Sequence, residues 1–312
     1  MTRYLVTGGT GFIGSNIVQE LVKQNKKVFL LTEKNADLWR IKNILNSVSI
    51  YEVDLTSFEK IKEIVFQIKP EIIFHLAAVG INPNFDDLKL LFDVNFYGTI
   101  NLLKACETIG FDCFVNTGTS SEYGIKKTAM SEDDILEPLV DYAISKASST
   151  MYCYKVAKLK KLPIYTVRPF NVYGDFEHPH RLIPTIMINY LKNKPINLSN
   201  PKFVRDFIYV KDVVNFYLTL SEQKPTEYIF NIGTGIQSSL FDVVVTFESI
   251  VNEKLNIKWG TAKPRPWEVD CWYADINKAK KVLNWQAKFD LKKGLEKSFD
   301  WFKKNLSLYN KI

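Results

Sequence analysis

The chain has 312 residues, of which 46% are hydrophobic, 13% aromatic and 24% charged. That mixture belongs to a globular protein and excludes disordered, collagen-like and low-complexity classes. Forty-one Lys and Arg against thirty-four Asp and Glu give a net charge of +7. The basic residues are scattered instead of blocked, which suits an enzyme of phosphorylated ligands better than a nucleic-acid binder. The most apolar run, 72–81, is half the ~20 residues of a membrane span and contains His75. Met-Thr-Arg enters a strand at once, so no signal peptide is expected. Cys106, Cys113, Cys153 and Cys271 form no CxxC pair. Irregular spacing of this kind predicts reduced thiols, with no disulfide framework and no zinc site. The expectation is a cytoplasmic protein with no membrane, metal or nucleic-acid partner.

Strand-like and helix-like patterns then alternate along the first half. Strands are predicted at 3–7, 27–31, 49–53, 71–77, 112–116 and 163–167, and helices at 13–24, 60–68, 88–107 and 142–158. Regular alternation implies right-handed crossovers and an α/β fold with a doubly wound parallel sheet. Beyond Arg168 prolines at 169, 179, 184, 195 and 201 break the rhythm. Helices are predicted there at 183–191, 213–221, 243–252, 276–283 and 295–305, with strands at 207–210 and 228–231. The expected division is a dinucleotide-binding Rossmann domain, 1–168 and 206–232, and a smaller α/β substrate domain, 169–205 and 233–312. The two are expected to share an interface, a common place for a ligand cleft.

Thr7-Gly8-Gly9-Thr10-Gly11-Phe12-Ile13-Gly14 joins the first strand to the first helix. Glycines let the backbone approach a pyrophosphate, and a helix N-terminus offers free N–H groups and partial positive charge. Strand, loop, helix and second strand occur in the order that a dinucleotide site requires, so Gly8, Gly11, Phe12, Ile13 and Gly14 are coenzyme candidates. An acid at the tip of the second strand would bond ribose hydroxyls and repel a 2′-phosphate. Thr32 stands there instead, with Glu33 and Lys34 pulling in opposite directions. Thr32 and Lys34 thus favour NADP(H), with NAD(H) the alternative.

Tyr142 and Lys146 stand at i,i+4 spacing, which places phenol and ammonium on one helical face. At ~5 Å and an effective dielectric near 20, the ammonium stabilises a phenolate by ~3 kcal/mol, or about two pKa units. A phenol so shifted exchanges protons efficiently near neutrality. The same spacing recurs at Tyr123/Lys127, Tyr154/Lys158 and Tyr190/Lys194, so context must choose. The segment Asn116-Thr-Gly-Thr-Ser-Ser-Glu-Tyr-Gly124 supplies it. It follows a buried strand at the ligand-binding edge of such a sheet, where Thr119 can offer a hydroxyl to a substrate oxygen.

Together these residues resemble the extended short-chain dehydrogenase/reductase family, in its NAD(P)-dependent sugar-nucleotide epimerase, dehydratase and reductase branch. Matching segments run through the chain: Thr7 to Gly14, Asp54-Leu55, His75-Leu-Ala-Ala78, Asn95-Phe-Tyr-Gly-Thr99, Thr119 to Gly124 and Tyr142/Lys146. They continue with Arg168-Pro-Phe-Asn-Val-Tyr-Gly174, Arg205-Asp-Phe-Ile-Tyr-Val210 and Ala274-Asp-Ile-Asn-Lys-Ala279. The resemblance implies that Asp54 and Leu55 hold the adenine. Leu76, Ala77, Ala78, Thr117 and Pro169 would line the coenzyme path, and Lys146 would bond the nicotinamide ribose. Asn171 would touch both coenzyme and substrate. Ser120, Ser121, Arg181 and Leu182 would contact the sugar nucleotide. Arg205 and Arg265 would clamp its diphosphate, a task for which guanidinium forks are suited. Glu268 would meet the nucleotide ribose.

Dehydratases of this branch place a carboxylate one or two residues after the threonine. Here Ser120 and Ser121 follow Thr119, and Glu122 comes one position late. Dehydration is therefore disfavoured. The expectation is reduction of a nucleotide-activated 4-keto(-6-deoxy) sugar, with hydride to C4 and Tyr142 as proton donor. The alternative is a 4-epimerase using the same residues through a transient 4-ketone. A non-catalytic dinucleotide-binding protein would need the glycine loop but not Thr119, Tyr142 and Lys146 together. A homodimer is expected through helices 88–107 and 142–158, whose Leu91, Phe92, Leu102, Met151 and Tyr154 exceed what one sheet contact needs.

Overall fold

The computed structural model describes residues 1–80, 85–262 and 269–310. Six parallel strands, β1 (Arg3–Thr7), β2 (Lys27–Thr32), β3 (Val48–Glu52), β4 (Ile72–His75), β5 (Cys113–Thr117) and β6 (Ile164–Pro169), are joined by a seventh, Ile229–Ile232. Their spatial order is third, second, first, fourth, fifth, sixth, seventh. The order reverses between β1 and β4, the place where open sheets of this kind leave a crevice at their carboxyl ends. The doubly wound parallel sheet read from the sequence is the sheet observed.

These strands are continuous apolar runs because helices cover both faces. Helices α1 (Phe12–Lys23), α2 (Phe58–Ile68), α3 (Leu88–Phe92), α4 (Gly98–Glu107) and α5 (Asp141–Lys160) provide the cover. Leu5, Ile73 and Phe114 of the sheet, Ile61 and Val65 of α2, Leu102 of α4 and Val156 of α5 belong to one buried cluster. Each such aliphatic side chain contributes about 2 kcal/mol relative to exposure.

The predicted single helix over 88–107 is interrupted. A π-helical turn, Asp93–Tyr97, separates α3 from α4. It coincides with Asn95, which is buried and turned away from its own helix. Asn95 Oδ1 accepts from Val79 N at 2.9 Å, while its Nδ2 donates to Val79 O and to Ser145 Oγ, each at 3.0 Å. Single-turn π-bulges are frequent at functional sites.

The chain packs as two compact units, one of residues 1–124, 135–169 and 214–230, the other of 125–134, 170–213 and 231–312. The second unit contains α6 (Leu182–Leu191), α8 (Leu240–Val251), α9 (Asn277–Leu283) and α10 (Leu291–Asn305), while α7 (Val210–Gln223) begins in it and belongs from Val214 onward to the first. Helices α8 and α10 begin earlier than their apolar periodicity predicts because capping residues extend them. Ser239 and Asp242 form a capping box on α8, and Asp290 accepts from Lys293 N at the start of α10. The buried Asp206 carboxylate accepts the N–H groups of Thr234, Gly235 and Ala274 and so fixes two loops of this unit.

Candidate active site

The turn from β1 to α1 is shaped by its glycines. Gly8 has φ +67°, and a Cβ there would lie 2.6 Å from Ala77 N. A Cβ on Gly14 would overlap Gly8 O, and Gly11 N donates to that same oxygen at 3.0 Å. Gly11 caps α1 with no side-chain hydrogen bond, and the first helical turn, with Phe12 and Ile13, carries no acid. The helix start therefore presents free N–H groups beside bare backbone, which fits the pyrophosphate of a dinucleotide.

The other coenzyme candidates of this unit lie at the same edge, because the strands run in parallel. Thr32 is buried at the end of β2, with Glu33 and Lys34 exposed beyond it. After β3, Asp54 is exposed and accepts from Thr56 N at 2.8 Å, and the carbonyl of the buried Leu55 accepts from Asn101 Nδ2 at 3.0 Å. Leu76, Ala77 and Ala78 are half-buried after β4. Thr117 ends β5 with its hydroxyl 2.6 Å from the Tyr217 hydroxyl, and Pro169 ends β6.

Tyr142 and Lys146 share one face of α5. Tyr142 is half-buried, whereas Lys146 is 1% exposed. Burial pushes the Lys146 ammonium down to about 8, and the charge of Glu122 opposes that shift. A buried positive charge is less screened than a surface one, so its effect on a neighbouring phenol is larger. The other pairs at this spacing lack that combination. Tyr154 and Lys158 bond each other on an exposed face, Tyr190 donates to Glu253 Oε2, and buried Tyr123 accepts from Arg168.

Thr119 is the extended N-cap of a short 3-10 turn, Ser120–Tyr123. Its hydroxyl accepts from Ser121 N at 3.2 Å, and Glu122 Oε1 accepts from Thr119 N at 2.9 Å. Ser120 is buried, while Thr119 and Ser121 are half-buried. Glu122 is fully buried; Oε2 accepts from Arg168 Nε at 2.8 Å and Oε1 from Thr150 Oγ1 at 3.0 Å. The late carboxylate is thus a structural anion engaged by three donors. Thr119-x-x-Glu122 is the local signature of a capping box and accounts for one of these donors, whereas Arg168 lies 46 residues away and left no local signal.

A second polar line was also missed. Buried His75 is held between Thr7 Oγ1 at 2.7 Å and Thr99 Oγ1 at 2.9 Å. Its imidazole is pushed down to about 3, chiefly by burial and then by the charge of Lys146. Thr99 continues to Asn95 O, Asn95 reaches Ser145, and Ser145 Oγ donates to Tyr142 O at 2.8 Å. The polar line therefore runs from the glycine turn to the helix bearing Tyr142 and Lys146.

In the second unit, Asn171 is half-buried and its N–H donates to Asp206 O at 3.0 Å. Arg181 precedes Leu182 at the start of α6 and stands 3.9 Å from the buried Glu177. Arg205 donates to Val204 O and stacks over Trp272 with its guanidinium carbon 5.5 Å from the ring centre. Arg265 and Glu268 lie outside the described residues. Among the described residues, no group of three His, Cys, Asp or Glu could hold a metal, and no helix is long and apolar enough to cross a membrane.

Residues 4–233 match the NAD dependent epimerase/dehydratase family, and the chain belongs to it. It is 30% identical over 325 residues to a UDP-glucuronate 4-epimerase of Thermodesulfobacterium geofontis, covering 100% of this chain and 99% of the relative. Among solved structures it resembles the UDP-glucose 4-epimerase of Thermotoga maritima with UDP-glucose, with a TM-score of 0.88 and 26% identity over 98% of this chain and 100% of that one. It also resembles the UDP-glucuronic acid 4-epimerase of Bacillus cereus in complex with UDP-glucuronic acid and NAD. There the TM-score is 0.85 and the identity 28%, over 97% of this chain and 99% of that one.

Proposed function

We propose that this member of the NAD-dependent epimerase/dehydratase family is a 4-epimerase of a UDP-linked hexose or hexuronic acid. The sequence alone favoured reduction of a 4-keto sugar; the full-length relatives named above are 4-epimerases and support the alternative instead. NAD replaces NADP(H) in this reading. The Bacillus cereus relative carries NAD. Thr32 brings no positive charge to the end of β2, and exposed Glu33 beside Lys34 opposes a 2′-phosphate.

Bound NAD supplies the acceptor and donor of hydride at the sugar C4. The chain's own groups handle the proton and the geometry. Thr119 offers its hydroxyl to the C4 oxygen, and Tyr142 takes the proton from that oxygen and returns it after the ketone has turned its other face. Lys146 stabilises the phenolate and bonds the nicotinamide ribose. Gly8, Gly11 and Gly14 bring backbone to the pyrophosphate, and Asp54 and Leu55 receive the adenine. Asn171, Arg181, Leu182 and Arg205 are assigned to the sugar nucleotide. Dehydration lacks its acid and base, because Ser120 and Ser121 follow Thr119 and Glu122 is fully engaged.

The hydride chemistry of this reading rests on one feature, a buried ammonium at Lys146 on the face of α5 that bears Tyr142, and the choice of epimerisation rests on the named relatives. Its test is to incubate the protein and its Tyr142→Phe variant with NAD and either UDP-glucuronic acid or UDP-glucose. Wild type is expected to form the C4 epimer with no net change at 340 nm, and the variant to lose roughly 10²–10⁴-fold in kcat. Stoichiometric loss of reduced coenzyme on a 4-keto sugar would restore the reductase reading.

The homodimer belongs to the same proposal, with a corrected surface. Leu91 and Leu102 are core residues. The exposed apolar groups on these helices are Leu88, Leu90 and Tyr97 on one side and Ile144, Met151, Tyr154 and Leu159 on α5, where Met151 is 65% and Leu159 76% exposed.

A further inference from the structure

We infer that Glu122 is a positioning residue of this site, tying Thr119 through one carboxylate oxygen to the face of α5 that carries Tyr142 and Lys146. The inference rests on the proposed roles of those three residues. It concerns a group that touches neither the reacting atoms nor solvent.

Glu122 Oε1 takes two hydrogen bonds, from Thr119 N at 2.9 Å and from Thr150 Oγ1 at 3.0 Å. Thr150 lies one helical turn beyond Lys146 and two beyond Tyr142, so the bond reaches the side of α5 on which they stand. A single atom therefore spans the two halves of the proposed reacting set. Oε2 is held by Arg168 Nε at 2.8 Å, and Arg168 in turn donates to Tyr123 OH at 2.8 Å with its guanidinium over that ring. Pinned from β6 and from its own turn, the carboxylate has little room to move. The backbone is fitted closely around it. A Cβ at Gly118 would overlap Glu122 Oε1 and stand 3.2 Å from Thr150 Oγ1.

The charge of Glu122 matters as well as its position. Besides the Tyr142 phenol on its own face of α5, the titratable groups that act on or feel Lys146 are Glu122 from the turn, Cys153 on α5 and His75 from β4. His75 is neutral near pH 7, and burial raises the Cys153 thiol to about 12. Glu122 is thus the anion that opposes loss of the Lys146 proton. Removing its charge moves Lys146 further down from about 8, and the ammonium form is then lost at lower pH. Arg168 and Tyr123 face Glu122 itself, so the carboxylate answers two demands, a buried guanidinium on one oxygen and the site on the other.

Two variants separate geometry from charge. Thr150→Val keeps the shape and the Glu122 charge but removes one bond. Glu122→Gln keeps an oxygen acceptor but removes the charge, and Glu122→Gln with Arg168→Gln avoids stranding the guanidinium should the single variant fail to fold. The readouts are kcat and KM for epimerisation from about pH 6 to about pH 9, on protein saturated with NAD, with thermal unfolding to certify folding. Thr150→Val is expected to lower kcat by roughly tenfold with KM little changed and the alkaline limb of kcat in place. The Glu122 variants are expected to lower kcat likewise and to move that limb to lower pH by at least about half a unit. Folded variants with wild-type kcat and an unmoved limb would overturn the inference. Tyr142→Phe run in parallel distinguishes the levels: if it stays active, the reacting set is wrong; if it is inactive while the Glu122 variants match wild type, only the positioning role fails.

Discussion

His75 donates from Nε2 to Thr99 Oγ1, and the chain around it admits one tautomer. Thr99 spends its own proton on Asn95 O at 2.7 Å, so its oxygen must accept from the ring. On the other side Thr7 Oγ1 accepts from Ala77 N at 3.2 Å and gives its proton to Nδ1 at 2.7 Å. A neutral imidazole fits every bond of this line, and an imidazolium could no longer accept the Thr7 proton at Nδ1.

A pH dependence follows. His75 is lowered from its ordinary 6.5 to about 3 in the folded state, so its stabilisation is present above 6.5 and is lost as pH falls toward 3. The slope approaches ~1.4 kcal/mol per pH unit in that window. His75→Gln, which can still donate to Thr99 and accept from Thr7, should remove this component. Denaturant unfolding at about pH 7 and pH 5 checks it: wild type should lose about 2 kcal/mol more than the variant.

The glycine turn leaves no space for a methyl group. Gly14→Ala should weaken NAD binding by about two orders of magnitude or prevent folding, because the new Cβ meets the Gly8 carbonyl. Gly110, with positive φ and nothing near its Cβ, is a control: Gly110→Ala should cost only about 1 kcal/mol from strain and leave NAD binding intact. Coenzyme titration by fluorescence and thermal unfolding read the two outcomes.

Glu177 behaves oppositely to His75. It is buried, and among the described residues its carboxylate meets a 3.4 Å bond from Gly174 N and Arg181 at 3.9 Å. Burial raises its carboxyl from 4.5 to about 8. A raised carboxyl contributes stability below the unfolded value that is lost as pH rises from about 4.5 through about 8. Glu177→Gln should therefore be the more stable protein at pH 8, by on the order of 2 kcal/mol, with the difference shrinking toward pH 5. A melting-temperature series across that range measures it.

Charges placed on the exposed apolar face of α5 should break the proposed dimer. Met151→Lys with Leu159→Lys adds like charges to a face whose helix already carries Lys155 and Lys158. Light scattering at micromolar concentration should show the wild type near twice and the variant near once the mass of one chain.

The fold was legible because its signals are local. Apolar runs of strand length, a helix between each and glycines at the first turn give the doubly wound parallel sheet almost by themselves. Helix ends were less legible where Ser239 and Asp290 extend α8 and α10 beyond their apolar stripes. The predicted helix 88–107 concealed a π-turn, since the pull on Asn95 comes from Val79 and Ser145, 16 and 50 residues away. Thr119, Tyr142 and Lys146 stand out in the sequence, and remain proposals for the reacting set, because motif and spacing mark them. Glu122 was set aside as a carboxylate one position late; its partners Thr150 and Arg168 converge only in three dimensions. Coenzyme and reaction were the least legible, because Thr32, Glu33 and Lys34 give mixed chemical signals and both hydride reactions use the same residues.

The central claim is that one hydride leaves C4 and returns to C4 of the same sugar while Tyr142 holds the proton. The most direct measurement uses a UDP-sugar deuterated at C4, incubated with enzyme and unlabelled NAD, with the product analysed by mass and by proton resonance. The account predicts a C4 epimer that keeps its deuterium through many turnovers. Loss of the label into the coenzyme pool or solvent, or product formed only as reduced coenzyme is consumed, would contradict it.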